Sequence, residues 1–373
     1  MNFRSIKTIV LAASLALVFL YETEARAQET TVQEPVAQEP SSPSVGARAW
    51  TLMDIRTGEY LAGKNAEKRL PMASTTKIML ALVTLEDGSL NEEVIISKKA
   101  ASYAVPLYSN VGLFAGDTVS VRELLMASII SSGDDAAYAL AEHLGDGSVN
   151  EFVGKMNRRA DELGLEDTNF ENPVGFDARD HYSSARDLAQ MTRGAFENPE
   201  FREIVATAET AITTQDRTIP LVSTNDLLFT YELATGVKTG TTPDAGPSLV
   251  ASGASGNESY ITVVLDDEER FSDTITLMEH GFGTYDRRNL AVKGKQYARA
   301  NVPYRRGEKI SVVARNDVPG LVDEDPRVER EVALVEEMPG VVRAGDRLGD
   351  LLVKVDGERV GEKVWDTVEG IFE

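Results

Sequence analysis

The sequence predicts an α/β protein in which strands at both ends of a larger domain enclose a helical middle, followed by a small all-β domain. Strand-forming residues dominate segments 47–55 and 236–265, whereas apolar residues recur at helical spacing between residues 121 and 195. Beyond about residue 290 the pattern changes to short alternating runs separated by Gly and Pro. A chain of 373 residues is long enough for the two domains that this change indicates.

The first 27 residues have the charged, apolar and small-residue zones of a secretory signal. Arg4 and Lys7 come first, residues 9–20 are largely apolar, and small residues surround a natural cleavage point after Ala27. An apolar run of about twelve residues is shorter than the roughly 20 that cross a bilayer. We therefore expect an exported protein, in the cell envelope or secreted, whose mature chain has no transmembrane helix.

The segment after this signal is rich in Pro, Gln, Glu, Ser and Thr and has almost nothing to bury. This composition predicts a disordered spacer at residues 28–45, between the exit point and the fold. The larger domain is then expected at residues 46–288 and the small β-rich domain at residues 289–373.

The larger domain is expected to begin with a hairpin at a sheet edge, with strands at residues 47–55 and 59–61. Residues 74–85 are apolar around most of the helical circumference, which predicts a helix inside the domain. Further helices are predicted at residues 121–130, 134–144, 149–163, 184–195 and 272–282. Strands are predicted at residues 236–238, 248–254 and 260–265, and in the small domain at residues 309–314, 332–335 and 351–355.

The last stretch of the chain places Val364, Trp365, Val368, Ile371 and Phe372 at amphipathic helical spacing. Such a segment can touch a membrane surface, which would make the protein peripheral to the membrane. The stretch is short and acidic, however, so a short helix or strand that packs on its own domain is the alternative.

Composition and charge exclude several classes of function. There is no cysteine, which excludes disulfides, thiol catalysis and cysteine-ligated metals. The net charge of −22 argues against nucleic acid or anionic lipid as a bulk partner. His143, His181 and His280 are too far apart in sequence to form a local metal motif, so we expect each to be structural.

Ser74 and Lys77 are the first candidates for chemistry, because residues three apart at the start of a helix lie on one face. The N–H groups at a helix N-terminus also favour a developing oxyanion. Taken alone, the pair fits better an ordinary cap followed by a surface lysine, because Ser and Thr caps are common. Two further triplets change this interpretation: Ser132-Gly133-Asp134 in a loop before a helix, and Lys238-Thr239-Gly240 at the end of a predicted strand.

Together these triplets resemble the S-x-x-K, S-x-N and K-T-G signature of the penicillin-recognising serine enzymes. Within that superfamily the chain is similar to the low-molecular-mass D-alanyl-D-alanine carboxypeptidases over roughly residues 45–285. The matching segments are residues 73–79, 132–136, 172–175, 181–187 and 236–242, and residues 344–349 resemble the C-terminal domain that many of these enzymes carry. The resemblance implies a β-lactamase/transpeptidase-like three-layer α/β/α domain with an antiparallel sheet.

The resemblance also implies a reaction on peptidoglycan pentapeptide stems. Ser74 would attack the carbonyl between two D-alanines, release the terminal one and leave an acyl-enzyme that water hydrolyses, and penicillins would acylate the same serine. Lys77 would accept the serine proton and Ser132 would relay it to the leaving amine. The N–H groups of Ser74 and Thr241 would form the oxyanion hole. The residues assigned to substrate binding are Asp134, Lys238, Thr239, Gly240, Thr241 and Thr242, and neither metal nor cofactor is expected.

Asp134 departs from the signature, which has asparagine at this position. A lysine that works near neutral pH needs a pKa lowered from about 10.4, at a cost of roughly 4 kcal/mol. An ionised Asp134 about 5 Å from Lys77 would oppose this by roughly 3 kcal/mol at an effective dielectric constant near 20. We expect that Lys238 offsets this charge or that Asp134 binds a proton, with modest or alkaline activity; alternatively Asp134 points elsewhere and caps the helix.

Several other functions were weighed against this one. A β-lactamase of the class most similar in sequence has an E-x-x-L-N run after the second motif, and no such run follows Ser132. The nearest segment, residues 87–91, precedes that motif and is expected to end a helix. A Ser-His-Asp hydrolase would need a G-x-S-x-G elbow, which is absent from the sequence. A peptidoglycan endopeptidase and a catalytically weak cell-wall binder remain alternatives.

Overall fold

The computed structural model describes residues 43–301, 309–322, 326–335, 343, 345–355, 358–359 and 365–371. The predicted signal and the spacer up to residue 42 lie outside these residues. Within the described part of the chain, no helix has both the length and the apolar character that crossing a membrane requires.

The first region, residues 43–285, contains nine strands and nine α-helices among its described residues. The strands are β1 (Ala49–Asp54), β2 (Tyr60–Lys64), β3 (Glu93–Ile95), β4 (Thr118–Ser120), β5 (Glu209–Thr213), β6 (Thr218–Val222), β7 (Ala234–Thr242), β8 (Gly246–Ser255) and β9 (Glu258–Leu265). The helices are α1 (Lys77–Asp87), α2 (Lys98–Ala101), α3 (Val121–Ile130), α4 (Asp134–Leu144), α5 (Val149–Glu162), α6 (Ala185–Ala195), α7 (Pro199–Val205), α8 (Leu227–Thr230) and α9 (Arg270–Thr284).

A five-stranded antiparallel sheet in the order β2-β1-β9-β8-β7 forms the centre of this region. Helix α6 packs on β1 and β9 from one side, and α9 packs on β8 and β9 from the other. Helix α1 is enclosed by α3, α4, α5 and α6, so its apolar circumference is buried as predicted. The arrangement confirms the predicted α/β class with helices on both faces of an antiparallel sheet.

The edges of the sheet match one prediction and correct another. Strand β2 lies at one edge, as expected for an opening hairpin. Strand β7 lies at the other edge, and it continues past Lys238 and Gly240 to Thr242. The prediction that Lys238-Thr239-Gly240 ends a strand is therefore wrong, because β7 pairs with β8 until Thr242 meets Gly246 at the turn.

Helix α1 begins differently from the prediction. A 3₁₀ turn occupies Ala73–Thr76, and the regular α-helix starts at Lys77. Ala73 has a left-handed φ of +49°, which a continuous helix does not allow. The hydroxyls of Thr75 and Thr76 donate to the carbonyls of Met72 and Ala73 at 2.6 and 2.8 Å, and the Met72 carbonyl also accepts the Thr75 N–H.

The helices on either side of the second motif have the predicted bounds. Helix α3 begins at a capping box in which Ser120 and Glu123 bond reciprocally, and it ends at Ile130. Helix α4 begins at Asp134. Helix α1 ends at Asp87, as expected for the segment 87–91. Helix α7 was not predicted, although Asn198 caps it and Pro199 begins it, and neither was the β5–β6 hairpin.

Every regular element among the described residues of the second region is a strand. They are β10 (Asp286–Ala291), β11 (Gln296–Asn301), β12 (Lys309–Ala314), β13 (Val318–Val322), β14 (Val328–Leu334), β15 (Arg347–Val355), β16 (Glu358–Arg359) and β17 (Trp365–Ile371). They enclose an apolar cluster of their own, which includes Leu290, Val312 and Leu351. The end of the chain forms a strand, since β17 pairs with β12 and β15, while Val364 and Phe372 lie outside the described residues.

Candidate active site

Two glycines allow close packing around the turn that carries Ser74. Gly175 has a φ of +100°, and a β-carbon there would lie 2.0 Å from the carbonyl oxygen of Ala73. A β-carbon at Gly240 would lie 3.0 Å from the backbone nitrogen of Ser74. The third motif therefore lies directly against the first, with Gly240 of strand β7 beside the Ser74 N–H.

The Lys77 amine lies among three oxygen atoms. Its Nζ is 2.9 Å from Ser74 Oγ, 2.7 Å from Asp134 Oδ1 and 2.7 Å from the carbonyl oxygen of Val174. The lysine side chain is 0% exposed. An ammonium would donate to all three oxygens, whereas a neutral amine would donate to Asp134 and Val174 and keep a lone pair for the Ser74 hydroxyl. The second arrangement is the one a general base requires.

Asp134 takes part directly in this site. The prediction of a separation near 5 Å is corrected to the 2.7 Å contact with Lys77, across 57 residues of sequence. The alternative in which Asp134 points elsewhere and caps helix α4 is wrong. Gly133 occupies the N-cap position, and the cap has no side-chain hydrogen bond.

Burial shifts the pKa values in this group of charges toward the neutral forms. It lowers the pKa of Lys77, while the charge and hydrogen bond of Asp134 act in the opposite direction. Burial raises the pKa of Asp134, and the positive charges of Lys77 and Lys238 oppose that increase. Burial and the Lys77 charge together hold the pKa of Lys238 well below its usual range. These interactions show that the charges of the three motifs act on one another.

The other residues of the third motif lie along strand β7. Lys238 is 1% exposed and its Nζ donates to the Thr239 carbonyl at 3.1 Å. The Thr239 hydroxyl is 2.6 Å from that of Thr224. The Thr242 hydroxyl donates to Asp177 at 2.6 Å, which joins the end of β7 to the loop after Gly175.

Two charged residues beside β7 were missed from the sequence. One is Asp177, described above, and the other is Arg270. Arg270 Nη1 donates to Thr241 Oγ1 at 2.8 Å and to the Gly240 carbonyl at 3.0 Å. The only sign of Arg270 in the sequence was its position directly after the acidic residues 266–269. The sequence does not show that the start of α9 packs against β7, which brings Arg270 to this strand.

Ser132 lies in the turn between α3 and α4, with a left-handed φ of +60° and 4% exposure. Asp135 holds the loop at residues 111–113, because its carboxylate accepts hydrogen bonds from the N–H groups of Val111, Gly112 and Leu113. The Asp134 N–H also donates to the Ser109 carbonyl at 2.8 Å. Ser132 is thus held two residues from the carboxylate that contacts Lys77.

The three histidines lie in separate places. His143 Nε2 is 3.3 Å from Glu92, His280 is 3.2 Å from the Thr284 hydroxyl, and His181 contacts Thr76 below the Ser74 turn. Among the residues that the structure describes, no group of three or more His, Asp or Glu side chains could hold a metal ion.

Comparison with known proteins gives the same family as the motifs. Residues 36–269 match the D-alanyl-D-alanine carboxypeptidase family. The D-alanyl-D-alanine carboxypeptidase DacF of Bacillus subtilis is 33% identical over 328 residues, which cover 85% of this chain and 83% of that protein. The structure of penicillin binding protein 5 from Haemophilus influenzae aligns with a TM-score of 0.74 at 28% identity, covering 90% of this chain and 99% of that one.

A third match covers a smaller share of this chain. The structure of a Streptomyces DD-transpeptidase aligns with a TM-score of 0.62 at 37% identity, covering 65% of this chain and 100% of that chain. The sequence-based prediction of family and activity is confirmed by these matches. The chain belongs to the D-alanyl-D-alanine carboxypeptidase family.

Proposed function

We propose that this protein is an exported serine-type carboxypeptidase that removes the terminal D-alanine from peptidoglycan pentapeptide stems through an acyl-enzyme on Ser74. The observation that carries the proposal is the 2.9 Å contact between Lys77 Nζ and Ser74 Oγ in a buried site. Nucleophile and base at hydrogen-bond distance are what acyl transfer by a serine needs.

In the first step, neutral Lys77 takes the hydroxyl proton while Ser74 Oγ bonds to the carbonyl carbon between the two D-alanines. The negative charge on the carbonyl oxygen is received by the N–H groups of Ser74 and Thr241. The C–N bond then breaks, and the leaving D-alanine takes a proton through Ser132. Water attacks the resulting ester, which releases the shortened stem and returns the proton to Ser74.

Strand β7 and its surroundings supply the binding site for the stem. Arg270 places positive charge beside the strand and the Lys238 amine lies on it, so both groups can donate hydrogen bonds to the terminal carboxylate of the substrate. Thr239 and the backbone at Gly240 and Thr241 align the peptide against the sheet edge. Thr242 acts in this binding through Asp177, because its hydroxyl is bonded to that carboxylate.

Asp134 changes the protonation of this site relative to an asparagine. An amide cannot exchange a proton with Lys77, whereas a carboxylate at 2.7 Å can share one. When the shared proton lies on Asp134, Lys77 has a lone pair for Ser74; when it lies on Lys77, the pair offers no base. Activity therefore rises as the pair loses this proton, which favours alkaline conditions.

Export is supported by the N-terminal sequence. The signal-like first 27 residues and the polar spacer that follows fit a fold that acts on peptidoglycan outside the cytoplasm. The same exposure would make Ser74 accessible to penicillins, which acylate it in place of the stem.

D-Alanine release from a soluble pentapeptide, beside a cross-linked muropeptide, tests this function. The wild-type protein should release D-alanine from the pentapeptide, and Ser74→Ala should not. Ser128→Ala is the matched control, since it removes a buried serine hydroxyl that donates to the Leu124 carbonyl in helix α3. D-Alanine release by Ser74→Ala at the wild-type rate would refute the proposal, and faster cleavage of the cross-linked substrate would make the protein an endopeptidase.

A further inference from the structure

His181 lies below the turn that carries Ser74, where it is 3% exposed. Its Nδ1 accepts the backbone N–H of Glu171 at 3.0 Å, and its Nε2 is 2.8 Å from the Thr76 hydroxyl oxygen. A backbone N–H only donates, so Nδ1 is the accepting nitrogen and the ring proton is on Nε2. His181 Nε2 therefore donates to Thr76 Oγ1.

Thr76 continues this series of hydrogen bonds. Its hydroxyl donates to the Ala73 carbonyl at 2.8 Å. All the bonds therefore run in one direction, from the Glu171 N–H through the imidazole and the hydroxyl to the Ala73 carbonyl oxygen. Hydrogen bonds aligned in this way polarise one another and strengthen the group at the end of the series.

The Ala73 carbonyl belongs to the same peptide group as the Ser74 N–H. A hydrogen bond accepted by the oxygen of a peptide group makes its N–H a stronger donor. The Ser74 nitrogen lies beside strand β7, where a β-carbon at Gly240 would approach it to 3.0 Å. Ala73, whose carbonyl accepts the bond from Thr76, has a left-handed φ of +49°.

We propose that His181, acting through Thr76, is a positioning residue that orients and strengthens the Ser74 N–H as a donor to the oxyanion of acyl transfer. This rests on the proposed function, in which that N–H receives the negative charge. His181 acts on the reaction through the Thr76 hydroxyl, which it contacts at 2.8 Å, and through the Ala73 carbonyl to which that hydroxyl donates.

The surroundings of His181 keep the ring in the required form. Burial lowers the pKa of His181 to about 4, and the nearby charge of Asp177 acts in the opposite direction. The Phe170 ring packs at 6.0 Å from the imidazole centroid. The ring is therefore neutral through the neutral and alkaline range, with Nδ1 available to Glu171.

The test measures how fast a penicillin acylates each active site, after the sites have been titrated. Thr76→Val keeps the shape of the side chain and removes the hydroxyl, whereas Thr76→Ser keeps the hydroxyl. Loss of an oxyanion donor costs about 100–1000-fold, so its weakening in Thr76→Val should slow acylation by about tenfold, with unchanged initial binding. Thr76→Ser should restore most of the rate.

Thr192→Val is the control for stability. Thr192 is equally buried, and its hydroxyl donates to the Leu188 carbonyl at 2.6 Å in helix α6. Its replacement should lower the melting temperature and the number of titratable sites, with the wild-type rate at each remaining site. A role of Thr76 in stability alone predicts that same behaviour for Thr76→Val, and this result would overturn the inference.

His181→Gln and His181→Phe extend the test to the imidazole. Glutamine can accept from Glu171 and donate to Thr76, so it should retain more of the acylation rate than phenylalanine, which can do neither. Equal rates per site in the two variants would also overturn the inference. Penicillin labelling of Ser74→Ala would instead refute the proposed function, so the two failures are distinguishable.

Discussion

Among the residues that the structure describes, two ion pairs are buried on both sides, and they differ in what their cations can do. Lys77 and Asp134 are 0% and 5% exposed, while Arg287 and Asp54 are 7% and 0% exposed. The first pair joins α1 to α4 at the active site, and the second joins β1 to β10, where the two regions of the chain meet. Both ion pairs are therefore buried, and in each a cation lies beside a carboxylate.

The difference lies in the chemistry of the cation and in its neighbours. A guanidinium keeps its proton at all ordinary pH values, so Arg287 cannot take part in proton transfer. Lysine titrates readily when buried, and Lys77 has a serine hydroxyl at 2.9 Å. A buried ion pair indicates function here only where a titratable cation meets a nucleophile.

Replacement of each cation by methionine should give the largest contrast between the pairs. Lys77→Met removes the base, and we expect D-alanine release to fall by about 100–10,000-fold. Arg287→Met is the matched control and should leave the rate per folded molecule unchanged. The comparison fails if Lys77→Met keeps about a tenth of the wild-type rate or more.

Loss of the carboxylate at the second pair should act on stability. Asp54→Ala leaves the Arg287 charge buried without its partner and removes the acceptor of the Thr57 N–H. We expect the free energy of unfolding to fall by about 3–5 kcal/mol, measured by urea denaturation. A loss below about 1 kcal/mol would show that this pair adds little to the fold.

At the active site, Asp134→Asn should move the pH profile of D-alanine release. The negative charge of Asp134 raises the pKa of Lys77, and the lysine must be neutral to act as a base. Activity therefore appears as the pH rises through that pKa. Without the charge the pKa of Lys77 is lower, so the acidic limb should move to lower pH. An unchanged profile would mean that Asp134 does not control the base.

The smallest effect is expected at a surface pair beside the second buried pair. Arg288 and Asp286 lie on β10, with 49% and 64% of their side chains exposed. Asp286→Ala should change the free energy of unfolding by less than about 1 kcal/mol, because water screens the charges. If Asp286→Ala lowered the free energy of unfolding as much as Asp54→Ala does, burial would not explain why the two pairs differ in their effect on stability.

The sequence correctly predicted the structural features that depend on residues close together in the chain. Helix α3 has the predicted bounds because Ser120 and Glu123 form its capping box, and Ser74 and Lys77 meet because they are three residues apart. The sequence did not predict contacts between segments that lie far apart in the chain. The contact of Asp134 with Lys77 spans 57 residues, and the contact of Arg270 with Thr241 spans 29. The motif Lys238-Thr239-Gly240 was placed at a strand end because its pairing with β8 has no local signal.

The central claim, that Lys77 activates Ser74 for acyl transfer, is tested most directly by mapping a penicillin adduct by mass spectrometry. Trypsin should release residues 70–77 as one peptide, since Arg69 and Lys77 bound it. We predict that this peptide carries the adduct mass, that Ser74→Ala abolishes the adduct, and that Lys77→Met forms it far more slowly on the correspondingly longer peptide. An adduct on another peptide, or one that survives in Ser74→Ala, would contradict the account.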